Sequence, residues 1–195
     1  MSERVLYIHK IQHERGMKMK KMLGENRRSE LLHLLKTSNE PITGTDLAKH
    51  TNVSRQVIVN DMNLLKARNE PIVATSQGYV YLNREGTKSV FERKIVCLHT
   101  AEQAEDEMLT IVDCGVTLKS VIVEHPVYGE ITASMMLSNR HDVKNFLNRV
   151  NKTKANYLSA LTDGTHLHEI SASSEELLDR AEQMLREKGY LIEEE

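Results

Sequence analysis

From residue 26 the apolar positions recur at helical spacing, with Leu31, Leu32, Leu34 and Leu35 in NRRSELLHLLKT (26–37). Pro41 in SNEPIT ends that run, because proline cannot continue a helix. TGTDLAKHT follows as a short helix, with Leu47 and Ala48 packing inward and Gly44 or Thr45 placed to cap it. NVS is a tight turn. SRQVIVNDMNLLKARN (54–69) then reads as a longer helix, with Ser54 as its N-cap and Val57, Ile58, Met62 and Leu65 on its buried side. Beyond it the pattern changes to alternation, predicting strands at 71–75 and 79–82 around the turn Ser76-Gln77-Gly78. Short helix, turn, longer helix and hairpin together make a winged helix-turn-helix over 25–83.

The stretch 84–92 reads as a linker. After it, strands and helices interleave. Strands are expected at 93–99, 116–125 and 130–137, the last two joined by the turn PVYG; helices are expected at 101–113 and 138–150. The second helix would be capped by Ser138 and bury Val143, Phe146, Leu147 and Val150. YLSALT (157–162) and THLHEIS (165–171) predict a hairpin about Asp163-Gly164, a strong short-range turn signal. A helix at 173–189 and a short closing strand in YLIEE complete an α+β domain over 93–195. Its sheet should be antiparallel or mixed, with helices on one side.

Composition alters this picture in two ways. The 195 residues contain no Trp and only 4% aromatic residues, so the cores must be aliphatic and Met-rich. The net charge of −2 hides an asymmetry: residues 1–68 hold 13 Lys and Arg against 7 Asp and Glu, while residues 89–195 hold 11 against 19. A basic amino-terminal half suits a polyanion. Residues 1–24 carry poor apolar spacing and accumulate Lys18, Lys20 and Lys21; they are expected to be a disordered or non-native extension, with Met17, Met19 or Met22 as alternative starts. No apolar run approaches the ~20 residues of a membrane span, and no secretory leader is evident, so a cytoplasmic protein is expected. Cys97 and Cys114 form no disulfide framework and read as buried, inert thiols.

Candidate chemistry falls in two places. At the start of the 54–69 helix, Arg55, Gln56 and Asn60 are exposed on this reading. Arg matches guanine O6 and N7, and Gln or Asn matches adenine N6 and N7. With Ser54 at the cap and Lys49 nearby to meet phosphate, the set predicts a DNA-reading helix. The second place is His166-Leu167-His168, where strand alternation points both imidazoles to one side. A solvent-facing strand that happens to carry two histidines satisfies the pattern, and so does a metal site. His99 at the end of an earlier strand and a carboxylate in the helix after it would complete a set suited to Zn, Ni or Fe. Spacing alone leaves that carboxylate open among Glu102, Glu105, Asp106 and Glu107. No glycine-rich phosphate loop and no GxSxG elbow occur, so an enzyme is not expected.

The run SRQVIVNDMNLLKARNEPIVATSQGYVYL resembles winged helices of the biotin-repressor type. CLHTAEQAEDEML, VEHPVYGEI and LTDGTHLHEI resemble the three-histidine (3H) domain of the niacin-responsive repressors, the NiaR family, and the two resemblances together cover about 25–195. That resemblance implies a divalent transition metal held by His99, Glu107, His166 and His168, with His125 and Tyr128 near the ligand. It implies nicotinic acid as corepressor, double-stranded operator DNA and a homodimer as partners, and genes of NAD synthesis or niacin uptake as targets. Two other readings stand beside it: a repressor for which the metal itself is the signal, and a metalloenzyme with an accessory winged helix.

Overall fold

The computed structural model describes residues 23–38, 40–82 and 91–192. They fall into two compact units: one runs to Ile72 and includes Gly78–Leu82, the other takes Val73–Gln77 and the chain from Asn83 onward. The expected amino-terminal extension up to residue 22, and the expected linker residues 84–90, lie outside the described residues.

The first unit contains α1 (Gly24–Thr37), α2 (Gly44–Thr51) and α3 (Arg55–Ala67); the chain continues through the hairpin strands β1 (Ile72–Thr75), of which only Ile72 belongs to this unit, and β2 (Gly78–Tyr81). Leu31, Leu35, Leu47, Ile58, Met62, Leu65 and Ile72 form its core. Each such side chain contributes about 1.5–3 kcal/mol relative to exposure. The N-cap of α2 is Thr43, not Gly44 or Thr45: its side chain accepts from the Asp46 N–H. Only that position has extended backbone while its hydroxyl reaches the first turn. Asn52 closes α2 in the left-handed region, φ 53°, and so makes the tight turn into α3. Gly78 is required where it stands. Its φ is 141°, and a Cβ there would lie 2.5 Å from the Ile42 carbonyl oxygen, which accepts from the Tyr79 N–H at 2.8 Å. Arg27 and Asp61, which sequence periodicity does not single out, are also buried in this unit. Arg27 Nε donates to Asp61 Oδ2 at 2.6 Å and Nη2 donates to Oδ1 at 3.2 Å.

The second unit runs β3 (Phe91–Leu98), α4 (Ala104–Asp113), β4 (Thr117–His125), β5 (Gly129–Leu137), α5 (Arg140–Thr153), β6 (Thr165–Ala172) and α6 (Glu175–Glu187). The sheet order is β3-β6-β4-β5, antiparallel at every pairing. β3 and β4 therefore point the same way with β6 inserted between them, and α4 makes the crossover that connects them. Ile95, Val121, Leu137 and Ile170 from the sheet pack with Met108 and Ile111 of α4, Val143 of α5 and Leu178 and Leu185 of α6. No helix among the described residues is long and apolar enough to cross a membrane.

Several expected elements are corrected. Residues 157–162 are not a strand; Leu158–Thr162 is a 3-10 helix. The Asp163-Gly164 turn exists, with φ 51° and 94°, but the Gly164 N–H closes back on the Ser159 carbonyl at 2.9 Å and leaves no partner strand to extend. The cap of α5 is Asn139 instead of Ser138, because the Asn139 side chain accepts from the Asp142 N–H. Of the α5 positions expected to be buried, Val143 is; Phe146, Leu147 and Val150 are half-buried, since the helix lies at the margin of the core. β3 begins at Phe91, inside the expected linker, where Phe91 pairs with Ala172. Of the expected closing strand, the described residues, up to 192, show a single bridge, between Leu191 and Cys97.

Candidate functional site

β6 is the strand that brings the histidines together. Inserted between β3 and β4, it places His166 opposite Cys97, and His168 opposite both Ile95 and Val121. The alternation of β6 then aims both imidazoles at the face covered by helices, so the solvent-facing reading of His-X-His does not hold: both residues are 3% exposed. His99 follows β3 on the side of Cys97. Immediately after it, Thr100 and Gln103 form a capping box, with the Gln103 side chain accepting from the Thr100 N–H at 2.9 Å. That box turns the chain through a short 3-10 segment (Ala101–Gln103) into α4. The buried side of α4 is Ala104, Glu107, Met108 and Ile111, so Glu107 faces the histidines.

Four groups converge. Glu107 Oε2 lies 2.8 Å from His99 Nε2 and 3.2 Å from His168 Nε2; Glu107 Oε1 lies 3.4 Å from His166 Nε2. The Nε2 atoms of His166 and His168 are 3.0 Å apart. All four side chains are only 2–3% exposed. Each ring's other nitrogen faces a backbone carbonyl: His99 Nδ1 meets Thr100 O at 2.9 Å, His166 Nδ1 meets Gly164 O at 2.8 Å and His168 Nδ1 meets Ser120 O at 3.0 Å. A carbonyl only accepts, so each Nδ1 carries a proton and each Nε2 is the ring atom turned to the centre. His99 Nε2 and Glu107 Oε1 are enclosed yet have no aligned hydrogen bond, despite their short contacts.

Three Nε2 atoms turned inward about a carboxylate with one unpartnered oxygen form a donor set that a bound cation would complete. Borderline N/O donors of this type suit Zn²⁺, Ni²⁺ or Fe²⁺. Burial pushes Glu107 up, but His168, His166 and His99 outweigh it and hold the carboxyl well below the usual carboxylate range. For His99, burial works downward, and Glu107 more than offsets it to leave a net upward shift. Sequence reasoning missed Cys97. Its thiol shares the cluster with Glu107 and His166, their candidate ligand atoms all within 4.8 Å of one another. Burial, and then Glu107, push that thiol upward and keep it protonated. The signal was available, since Cys97 stands two residues before His99 and alternation puts both on one face. Gly164 closes the site from behind: at φ 94°, a Cβ there would come 2.4 Å from the His99 carbonyl oxygen.

The competing acids are placed elsewhere. Glu102 and Glu105 are exposed, and Asp106 accepts from Lys188 Nζ at 2.6 Å and from the Tyr190 hydroxyl at 2.7 Å. His125 and Tyr128 contact each other, with ring centroids 4.9 Å apart. His125 Nδ1 accepts from the backbone N–H groups of Val127 and Tyr128, and Tyr128 is 77% exposed. His125 lies on the Val121 side of β4 but four residues further on, about 13 Å along the strand. Its contacts are therefore with its own turn.

In the first unit, the Ser54 hydroxyl caps α3 by accepting from the Val57 N–H at 3.4 Å. Arg55, Gln56 and Asn60 are exposed on the first two turns, and Gln56 Nε2 donates to Asn60 Oδ1 at 3.3 Å. Lys49, 72% exposed at its side chain, lies 3.8 Å from Asp46. The amino-terminal end of α3 thus presents a set of donors to solvent while Ile58, Met62 and Leu65 anchor the helix in the core.

Comparison with known proteins agrees with both halves. A 3H domain model matches residues 92–194, and an HTH domain model matches residues 27–80. The chain is 52% identical over 175 residues to the "Transcription repressor NadR" of Bacillus subtilis (strain 168), covering 89% of this chain and 97% of that protein. It is 40% identical over 174 residues to the "Probable transcription repressor NiaR" of Thermotoga maritima, covering 89% of this chain and 98% of that one.

Proposed function

The chain belongs to the NadR/NiaR family of transcription repressors, an HTH domain followed by a 3H domain, and from that premise we propose that it is a homodimeric, cytoplasmic repressor of NAD-synthesis or niacin-uptake genes whose corepressor is nicotinic acid. The observation that carries the ligand side is the convergence of three Nε2 atoms on Glu107, each ring fixed from behind by a backbone carbonyl. His99, Glu107, His166 and His168 would hold a divalent transition ion. When bound, that ion supplies a positive centre for the carboxylate or ring nitrogen of nicotinic acid. His125 and Tyr128 are assigned to the ligand's approach, and α3 to the major groove. There Arg55, Gln56 and Asn60 read base edges while Ser54 and Lys49 meet phosphate. Operator and nicotinic acid then strengthen each other's binding by one common factor.

Calorimetric titration of nicotinic acid into metal-loaded and chelator-treated protein tests this reading. Binding that requires metal, together with tighter operator binding in the presence of nicotinic acid, is the expected result. Binding that is unchanged by chelation would detach the ligand from the four residues. A specific observation favours a second reading: the four donors are 2–3% exposed and leave little surface for an organic ligand. On that reading the metal itself is the signal, and metal alone would change operator affinity without nicotinic acid.

A further inference from the structure

Helix α5 carries a surface unlike the rest of its unit. Between residues 140 and 154 stand five Lys and Arg and one acid, Asp142; the remainder of residues 89–195 holds six Lys and Arg against eighteen Asp and Glu. At 3.6 residues per turn, Val143, Phe146 and Leu147 share one arc and pack on the core. The opposite arc holds His141, Lys144, Asn145, Asn148, Arg149, Asn151 and Lys152, without an apolar side chain, and Asp142 borders it in the first turn. Lys154 follows at the C-cap.

Ion pairing separates this helix further. Elsewhere in the unit, Arg93 is held by Asp179 and Glu182, Lys119 by Glu92 and Glu169, Arg186 by Glu182 and Lys188 by Asp106, while Lys94 and Arg180 stand exposed with no ion pair among the described residues. On α5, among the described residues, Arg140 pairs with Asp113, while Lys144, Lys152 and Lys154 stand exposed without a carboxylate. Arg149 is half-buried, and its Nη2 is enclosed with no hydrogen-bond acceptor. A helix surface needs polar groups to stay in water, but acids would serve equally well in so acidic a unit. A face dominated by ammonium, guanidinium and amide donors, with Glu105 and Asp142 only at its margins, fits phosphate oxygens.

We propose that the Lys/Arg/Asn face of α5 is a second DNA-contacting surface, gripping the sugar-phosphate backbone of DNA that the same repressor reads through α3. The inference rests on the DNA-binding reading of the chain. It adds sequence-independent affinity, and its signature is salt dependence.

The test uses the full chain and a mixed-sequence duplex of roughly 40 base pairs, enough for two half-sites with flanks. Fluorescence anisotropy is followed as KCl rises from about 50 to 200 mM. The variant Lys144→Gln/Lys152→Gln/Lys154→Gln is compared with wild type and with Lys94→Gln/Arg180→Gln, which removes exposed charge elsewhere in the unit. The triple variant is expected to keep its circular dichroism and metal content. Its log K against log salt slope should be shallower by about 2–3, and its affinity at low salt roughly tenfold weaker or more. The control pair should leave the slope near wild type. An unchanged slope in the triple variant, or an equal loss in the control pair, overturns the proposal. So does a fall in dimer content with the slope intact, which would assign the face to protein contact. If Arg55→Ala weakens binding but the triple variant does not, the α5 proposal fails and the DNA-binding reading stands. If wild type shows no salt-dependent binding, both fail.

Discussion

Asp61 and Glu107 are both carboxylates with side chains 3% exposed, one in each unit, yet their surroundings differ in kind. Asp61 is closed off. Arg27 reaches it with two nitrogens, Arg28 Nη1 donates a further hydrogen bond at 3.2 Å, and the cluster joins α1 to α3. Glu107 faces the Nε2 atoms of three imidazoles whose Nδ1 atoms are turned to backbone carbonyls, and one of its oxygens has no hydrogen bond. A buried charge with its partner built in serves the fold. A buried charge ringed by imidazoles has partners that are themselves candidate metal ligands.

The largest effect that separates the two comes from removing a carboxylate. Asp61→Ala strands the Arg27 charge in the core and should cost about 3–5 kcal/mol in urea unfolding of the metal-free chain. Glu107→Gln in the same metal-free chain should cost less, because the imidazoles it faces can shed a proton whereas the Arg27 guanidinium cannot. Equal costs at the two positions would erase the distinction. Metal sharpens it: at a hundredfold excess over Kd, Zn²⁺ or Ni²⁺ should stabilise wild type by about 2.7 kcal/mol and leave Glu107→Gln and His166→Ala unmoved. Thermal shift with and without chelator measures this.

Gly164→Ala ranks next. A non-glycine residue at that backbone costs about 1–3 kcal/mol, and its Cβ would push on the His99 carbonyl. A competition assay should find metal affinity lowered although no ligand residue has changed. The smallest effect belongs to Glu25, an exposed counterpart of Asp61. Arg68 and Arg28 bond it and lower its pKa from 4.5 to about 2. Because the folded value is depressed, its stabilising contribution is present above pH 4.5 and lost as pH falls through about 2. Glu25→Gln should flatten that acid limb of the urea midpoint, and added salt should shrink the difference.

Much of this contrast was legible in the sequence. Alternation alone put His166 and His168 on one face. The choice of Glu107 over Glu102, Glu105 and Asp106 needed the packing of α4, although the spacing Ala104, Met108, Ile111 already marks the arc on which Glu107 lies. Arg27 and Asp61 were not legible, because a buried pair 34 residues apart leaves no local pattern. YLSALT misled for the opposite reason. It offers alternating residues of strand type, but Asp163 and Gly164 fold the chain back onto Ser159 before any pairing can form.

The three carbonyls behind the imidazoles belong to Thr100, Ser120 and Gly164, and all are main-chain groups. A point substitution can delete one of the four converging side chains, but it cannot delete a peptide oxygen. The part of the site that orients the rings therefore presents almost no mutational target: residues 100 and 120 can change their side chains without altering the carbonyl that each offers. Genetic loss of the cluster should concentrate in a few codons, those of His99, Glu107, His166, His168 and Gly164.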